Sequence, residues 1–222
     1  TYGDVENADV ALVTGSNTTA NHPVAATCFE QARKRGMKLI VIDPRREVIA
    51  EHADYYYRVQ PGTDVAFYNS MMQVIIEEGL CDDAFIESRT SNFEALRKTV
   101  ADYAPERASK ICGIPAEDIR EVARIFGGAG RAIVFWGMGI SQHVYGTNNA
   151  RCLISLALIT GNVGAPGSGL HPLRGQNNVQ GASDAGLIPM FYPDYQPVGD
   201  DAIRAKFERA WECSLSPDPG LT

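Results

Sequence analysis

Two short apolar runs decide the fold: Ala8-Asp9-Val10-Ala11-Leu12-Val13-Thr14-Gly15 and Met37-Lys38-Leu39-Ile40-Val41-Ile42, separated by Pro23 and a stretch of helical spacing from Val24 to Arg35. Each run is short and nearly continuous rather than alternating, which is the pattern of a strand buried on both faces. Pro23 suits the first turn of a helix, and Gly36 stands where a helix ends. Strand, helix and strand make one βαβ unit. Its crossover is right-handed, so the two strands are parallel neighbours.

Working outward, Tyr55 to Gln60 reads as a third strand closed by Pro61-Gly62, and Asp64 to Glu78 as a helix ended by Gly79. Further helices are predicted over 82–88, 93–103, 105–112 and 115–126, then a late strand over Ala132 to Trp136 and an apolar helix over Thr147 to Thr160. Strands alternating with helices predict an α/β fold, a doubly wound, mainly parallel Rossmann-like sheet with helices on both faces. Gly161 to Gly186 holds seven Gly and little periodicity, the mark of a long functional loop. The tail beyond Pro189 is rich in Pro and Tyr and carries one predicted helix, Asp200 to Glu212. The expected division is a dinucleotide-binding-like α/β domain over 1–176 and, over 177–222, part of an adjacent α/β domain that exposes an apolar patch or an oligomer contact.

Composition narrows the function. With 222 residues, 45% hydrophobic and 21% charged, the chain is an ordinary globular sequence. A net charge of −7 excludes general nucleic-acid affinity. No apolar run nears the roughly 20 residues of a membrane helix; the best, Cys152 to Thr160, is far too short. Five scattered Cys show no C-x-x-C and no cluster spacing, which fits reduced core thiols and a cytoplasmic protein. The first residue is Thr, not Met, and both ends read as cuts from a longer chain.

In a doubly wound sheet, ligands bind beyond the carboxyl ends of the strands. After the first strand, Gly15-Ser16-Asn17-Thr18-Thr19 offers close backbone approach, side-chain donors and a helix start: a phosphate loop, or else a plain capped turn. It lacks the three Gly of a nicotinamide fingerprint. After the second strand, Asp43-Pro44-Arg45-Arg46 carries an acid suited to a ribose, or a turn Asp bonding its own backbone. Asp64, after Pro61-Gly62-Thr63, caps a helix or accepts from a base amine. Gly137-Met138-Gly139-Ile140-Ser141-Gln142-His143 suggests close backbone contact beside the late strand. His143, like His22, His52 and His171, reads as a capping or surface residue, and no residue here is expected to ligate a metal. Leu173-Arg174-Gly175-Gln176-Asn177-Asn178-Val179-Gln180-Gly181 is a dense donor array, and its Arg presents a fixed fork suited to a carboxylate.

In this order, these phrases, together with Gly161-Asn162-Val163-Gly164 and Ile111-Cys112-Gly113-Ile114-Pro115-Ala116-Glu117-Asp118-Ile119, resemble the molybdopterin oxidoreductase family over nearly the whole chain. The Arg174–Gly181 phrase, with Ser183-Asp184 and Tyr192-Pro193-Asp194-Tyr195, is similar to formate dehydrogenase large subunits. The resemblance implies oxidation of formate to carbon dioxide by an enzyme carrying molybdopterin guanine dinucleotide with molybdenum or tungsten. An iron–sulfur cluster would be held by a part of the parent chain not present here, and electron-transfer subunits would be its partners. It also implies roles. Gly15, Ser16 and Asn17 would meet the cofactor's phosphates, with Asp43 and Arg45 at its ribose and Asp64 at its guanine. Met138, Gln142 and Gly175 would lie near the pterin, and Arg174 would bind formate. The family's cluster-binding cysteines and metal-ligating Cys or selenocysteine followed by His are absent, so the expectation is an internal fragment, catalytically incomplete alone. Alternatives are a sister enzyme acting on nitrate, a non-catalytic structural relative in a respiratory complex, and an unrelated nucleotide-binding module. Retention of Asp64 and of the Arg174 phrase weighs against the structural relative.

Overall fold

The computed structural model describes residues 2–221, which divide into two compact units, 2–175 and 176–221. After a 3₁₀ turn at Tyr2–Asn7, the first unit runs β1 (Val10–Thr14), α1 (Thr18–Asn21), α2 (Pro23–Lys34), β2 (Lys38–Ile42), α3 (Val48–Glu51) and β3 (Tyr55–Tyr57). A helical block follows: α4 (Asp64–Glu77), α5 (Asp83–Arg89), α6 (Phe93–Val100), α7 (Pro105–Cys112) and α8 (Ala116–Gly127). The unit closes with β4 (Ala132–Trp136), α9 (Met138–Ser141), α10 (Gly146–Ile159) and β5 (Gly169–Pro172).

All five strands are parallel, in the order β3-β2-β1-β4-β5. Period-two alternation sends Leu12, Ile40, Ile42, Val134 and Trp136 to one face and Ala11, Val13, Leu39, Val41, Ile133 and Phe135 to the other. The first face packs under Phe67, Met71, Ile75, Phe126 and Leu153 of α4, α8 and α10; the second under Ala25, Phe29, Ala32 and Ile49 of α2 and α3. Both faces are covered, so every residue of β1 and β4 is buried, which is why those runs carry no polar alternation. Phe29 meets Phe135 edge-on at 4.7 Å, and the buried Tyr68 hydroxyl donates to Thr14 Oγ1 at 2.6 Å, joining α4 to the end of β1.

Two expectations need correction. The third strand stops at Tyr57, because its partner β2 ends at Ile42 and the chain there turns through Asp43-Pro44. Beyond it, Arg58 Nε donates to Pro44 O (3.0 Å) and the Gln60 N–H to Cys112 O (2.8 Å), so these residues leave the ladder. The Gly-rich stretch is not one irregular loop. Gly169–Pro172 forms β5 against β4, and its terminal Pro is tolerated because β5 is an edge.

The second unit contains α11 (Val179–Asp184), capped by the Asn178 side chain, a two-residue antiparallel pair β6 (Phe191–Tyr192) and β7 (Gln196–Pro197), and α12 (Asp201–Trp211), capped by Asp200. Its core is small: Tyr192, Val198 and Phe207, with Tyr192 and Phe207 rings 4.7 Å apart. Leu187 and Trp211 are exposed. All five cysteines are free thiols; Cys112 and Cys152 are buried, and Cys213 is exposed rather than a core residue.

Candidate functional site

The chain winds from β1 outward to β3, then returns to build β4 and β5 on the other side, so the direction of winding switches between β1 and β4. A doubly wound sheet binds ligands at this switch, beyond the carboxyl ends. Here the switch point itself is filled by backbone. Gly139 N–H donates to Gly15 O at 3.0 Å and Gly137 N–H to Thr14 O at 3.3 Å. A Cβ on Gly139 would lie 2.7 Å from Gly15 Cα, and one on Gly15, itself at φ +55°, would lie 2.7 Å from the Gly139 carbonyl carbon. The close contact that the glycines of the Gly137–His143 phrase announce is therefore with the loop after β1. Gly139→Ala is expected to lower stability by about 1–3 kcal/mol through overpacking; an unchanged unfolding midpoint in denaturant would deny the contact.

The open space lies next to it, a cavity of about 260 Å³ lined by Gly15, Ser16, Asn17, Ile42, Asp43, Pro44, Arg45, Glu47, Val59, Pro61, Asp64, Gly139 and His143. Six expected site residues meet here: Gly15, Ser16, Asn17, Asp43, Arg45 and Asp64. Glu47 and His143 join them. Glu47 looks in sequence like one more charge in a turn; His143 reads as a surface residue. Only their placement by the loops after β2 and β4 brings them in, and no local signal marks either.

Asn17 plays the capping role in part: its Oδ1 accepts from Ala20 N–H (3.3 Å) and Thr19 Oγ1 (3.2 Å), and its Nδ2 donates to Glu47 Oε2 (2.9 Å). The backbone N–H groups of Ser16 and Asn17 donate to no acceptor among the described residues. Asp43 Oδ1 accepts from the Arg45 N–H (2.8 Å), the turn contact expected of such an Asp, and the Tyr56 hydroxyl donates to Asp43 O (3.0 Å). Asp64 is the first residue of α4, with Thr63 as its cap, so Asp64 is not the capping residue. Its side chain is nearly buried, 6% exposed, and receives no side-chain donor among the described residues.

Burial pushes Asp43 above the ordinary aspartate range; Glu47 and Asp64 push the same way, against the Arg45 N–H and guanidinium. Burial also raises Asp64, opposed by its own backbone N–H and by His143. A folded pKa above the unfolded one means the folded chain holds its proton more tightly. Stability is then lost as pH rises from the ordinary aspartate value through the raised one. Glu78 and Glu106, held low by hydrogen bonds from Arg124 and Arg120, contribute the opposite slope, so the readout is a difference. In the ligand-free protein, Asp43→Asn is expected to gain on wild type across that interval; parallel pH curves would contradict it.

Met138, Gln142, Arg174 and Gly175 do not line this cavity. Met138 opens α9, 40% exposed, and Gln142 caps its end. A Cβ on Gly175 would meet Met138 Cε at 2.6 Å, so the chain after β5 passes against the α9 loop. Arg174 follows buried Leu173, whose N–H donates to Trp136 O at 2.7 Å; the Arg is exposed and pairs with no acid among the described residues. Among the other histidines, His171 sits on β5, stacked on Phe135 at 4.8 Å, and His22 joins α1 to α2. Among the described residues no cluster of His, Cys, Asp and Glu is arranged to hold a metal, and no helix is long and apolar enough to cross a membrane.

The molybdopterin oxidoreductase family model matches residues 1–210. The F420-dependent formate dehydrogenase subunit alpha of Methanocaldococcus jannaschii is 48% identical over 99% of this chain and 32% of its own length. Formate dehydrogenase H of Escherichia coli is 45% identical over 96% of this chain and 30% of its own. A nitrate reductase of Synechocystis is 35% identical over 100% of this chain and 32% of its own. The chain thus spans about a third of the length of the curated relatives it matches. Among solved structures, acetylene hydratase from Pelobacter acetylenicus aligns with a TM-score of 0.68 at 29% identity, covering 75% of this chain and 25% of that one.

Proposed function

Because this chain belongs to the molybdopterin oxidoreductase family, we propose that it forms one dinucleotide-holding part and the formate-binding arginine of a formate dehydrogenase. The single observation that carries the site assignment is the cavity beyond β1 and β2, with its nearly buried Asp64, which receives no side-chain hydrogen bond among the described residues.

The donor set fits the nucleoside end of a pterin guanine dinucleotide. Guanine presents adjacent N–H groups on one edge, and an ionised carboxylate accepts at both oxygens. Asp64, nearly buried and with its own backbone N–H as its donor, suits that edge, and guanine N–H groups would favour the ionised form that burial opposes. Asp43 offers its free oxygen to a ribose diol, its other oxygen being held by the Arg45 N–H. The Ser16 and Asn17 N–H groups remain for a phosphate oxygen. When bound, the cofactor's molybdenum or tungsten supplies the two-electron acceptor for formate oxidation. Arg174 holds the formate carboxylate through a bidentate fork and stays charged at any working pH. Met138 and Gln142, at the two ends of α9, and Gly175 border the pterin. An iron–sulfur cluster and electron-transfer subunits outside this chain would supply the route for the electrons.

The test uses the intact parent chain, matured with its cofactor. Dye reduction by formate, with molybdenum or tungsten retained, is expected. The nitrate reductase relative gives the second reading its support: dye oxidation by nitrate without formate activity would replace the formate assignment.

A further inference from the structure

We propose that Glu47 is a positioning residue of the cavity: its carboxylate ties the loop after β1 to the loop after β2 and so fixes Asn17 and Arg45 against the phosphate and ribose of the ligand. This rests on the reading of the cavity given above.

Glu47 stands in the turn between β2 and α3, and its side chain is only 14% exposed. One oxygen accepts from Asn17 Nδ2 at 2.9 Å, and the other faces Arg45 Nε at 3.1 Å. The two ends of the Asn17 amide are not interchangeable here. Its oxygen is taken by the Ala20 N–H and the Thr19 hydroxyl, so its nitrogen must face an acceptor, and Glu47 is that acceptor. The amide nitrogen has two N–H groups, and the bond to Glu47 aims the second. The loop after β1 is thereby held from both sides. Gly139 N–H grips Gly15 O on the β4 side, and Glu47 grips Asn17 on the β2 side. With Glu47 lost, the β2 side is held only at the root of the loop, where the Gly15 N–H donates to Ile42 O at 3.2 Å, and Ser16 and Asn17 present their free N–H groups from a span no longer tied at Asn17.

The ion pair with Arg45 is the smaller part. Arg45 is 80% exposed, and pairs in solvent contribute little. Glu47 is nonetheless a third carboxylate in a cavity that already holds Asp43 and Asp64. A merely solvated charge has no reason to sit nearly buried beside two other acids. A carboxylate bonded to the side chain of the opposite loop does.

The experiment uses the intact, cofactor-loaded parent chain with Glu47→Ala, Glu47→Gln, Asn17→Ala and the double Asn17→Ala/Glu47→Ala. After extended dialysis, the guanine nucleotide left on each polypeptide is released by acid and counted, and thermal unfolding checks each fold. Glu47→Ala is expected to shorten nucleotide retention about tenfold, in line with loss of one charge-assisted hydrogen bond. Glu47→Gln falls between it and wild type, because Gln still accepts from Asn17 but offers Arg45 no charge. The double variant does no worse than its more damaging single, because Glu47 acts through Asn17. Wild-type retention in Glu47→Ala, equal damage in Gln and Ala, or additive losses in the double would overturn the proposal. Should Glu47→Ala fail to fold, Glu47→Met, of similar length but with no oxygen to accept from Asn17, decides it: retention equal to wild type overturns the tie. A wild-type parent that releases no guanine nucleotide sinks the reading of the cavity, and Glu47's role with it. A loaded wild type beside an indifferent Glu47→Ala sinks Glu47's role alone.

Discussion

Replacing Arg174 with Lys in the intact parent is expected to lower kcat/KM for formate about 10²–10³-fold, the range seen when one preorganised donor to developing charge is lost, while metal and nucleotide content stay at wild-type levels. Lys keeps the positive charge, so the loss isolates the fork. A guanidinium grips both oxygens of a carboxylate in one plane, and an ammonium offers a point charge on a flexible stem. The backbone supports such a role. Leu173, one residue earlier, is buried and bonded to the end of β4, so Arg174 leaves a fixed point at the carboxyl edge of the sheet. No acid competes for its guanidinium among the described residues. Arg174→Ala should be worse still. If steady-state kinetics give Arg174→Lys wild-type values for both kcat and KM, formate is bound elsewhere.

Asp64→Asn is the second large expected effect. Asn offers one acceptor where the carboxylate offers two, and its own N–H₂ opposes the donors of a guanine edge. Hydrogen bonds to charged groups contribute about 1.5–3 kcal/mol each, so nucleotide retention by the loaded parent should fall roughly 10–150-fold on the scale of 1.4 kcal/mol per decade. The ligand-free chain should move the other way. Burial raises the Asp64 pKa, so ionisation near neutrality works against folding, and removing the charge raises the unfolding midpoint. A variant that binds less and folds better would mark Asp64 as a residue kept for its ligand. Unchanged retention, or a lower midpoint with unchanged retention, would make it a structural residue.

The sheet was legible where burial leaves a simple signature. β1, β2 and β4 are nearly continuous apolar runs because each has helices on both faces, and Pro23 and Gly36 mark the ends of the helix between the first two. β5 was not legible: Gly169-Leu170-His171-Pro172 has one aliphatic residue, and only the neighbouring β4 makes it a strand. The loops after β1, β2 and β3 announced Asn17, Asp43 and Asp64 by type and by position after a strand. Glu47 and His143 gave no such notice, because three-dimensional convergence, not local pattern, brings them to the cavity. The glycines after β4 were read as a close approach, and Gly139 packs against Gly15 while also lining the cavity. Sequence could mark that something small was needed there; it could not say what came near.

The most direct test of the account is an experimental structure of the loaded parent chain, read at the carboxyl ends of β1 and β2. The account predicts a guanine nucleoside in the cavity, its N–H edge on Asp64 and its ribose on Asp43, with Asn17 held on Glu47. A fully loaded enzyme whose dinucleotides both lie elsewhere, leaving Asp64 without a ligand, would contradict it.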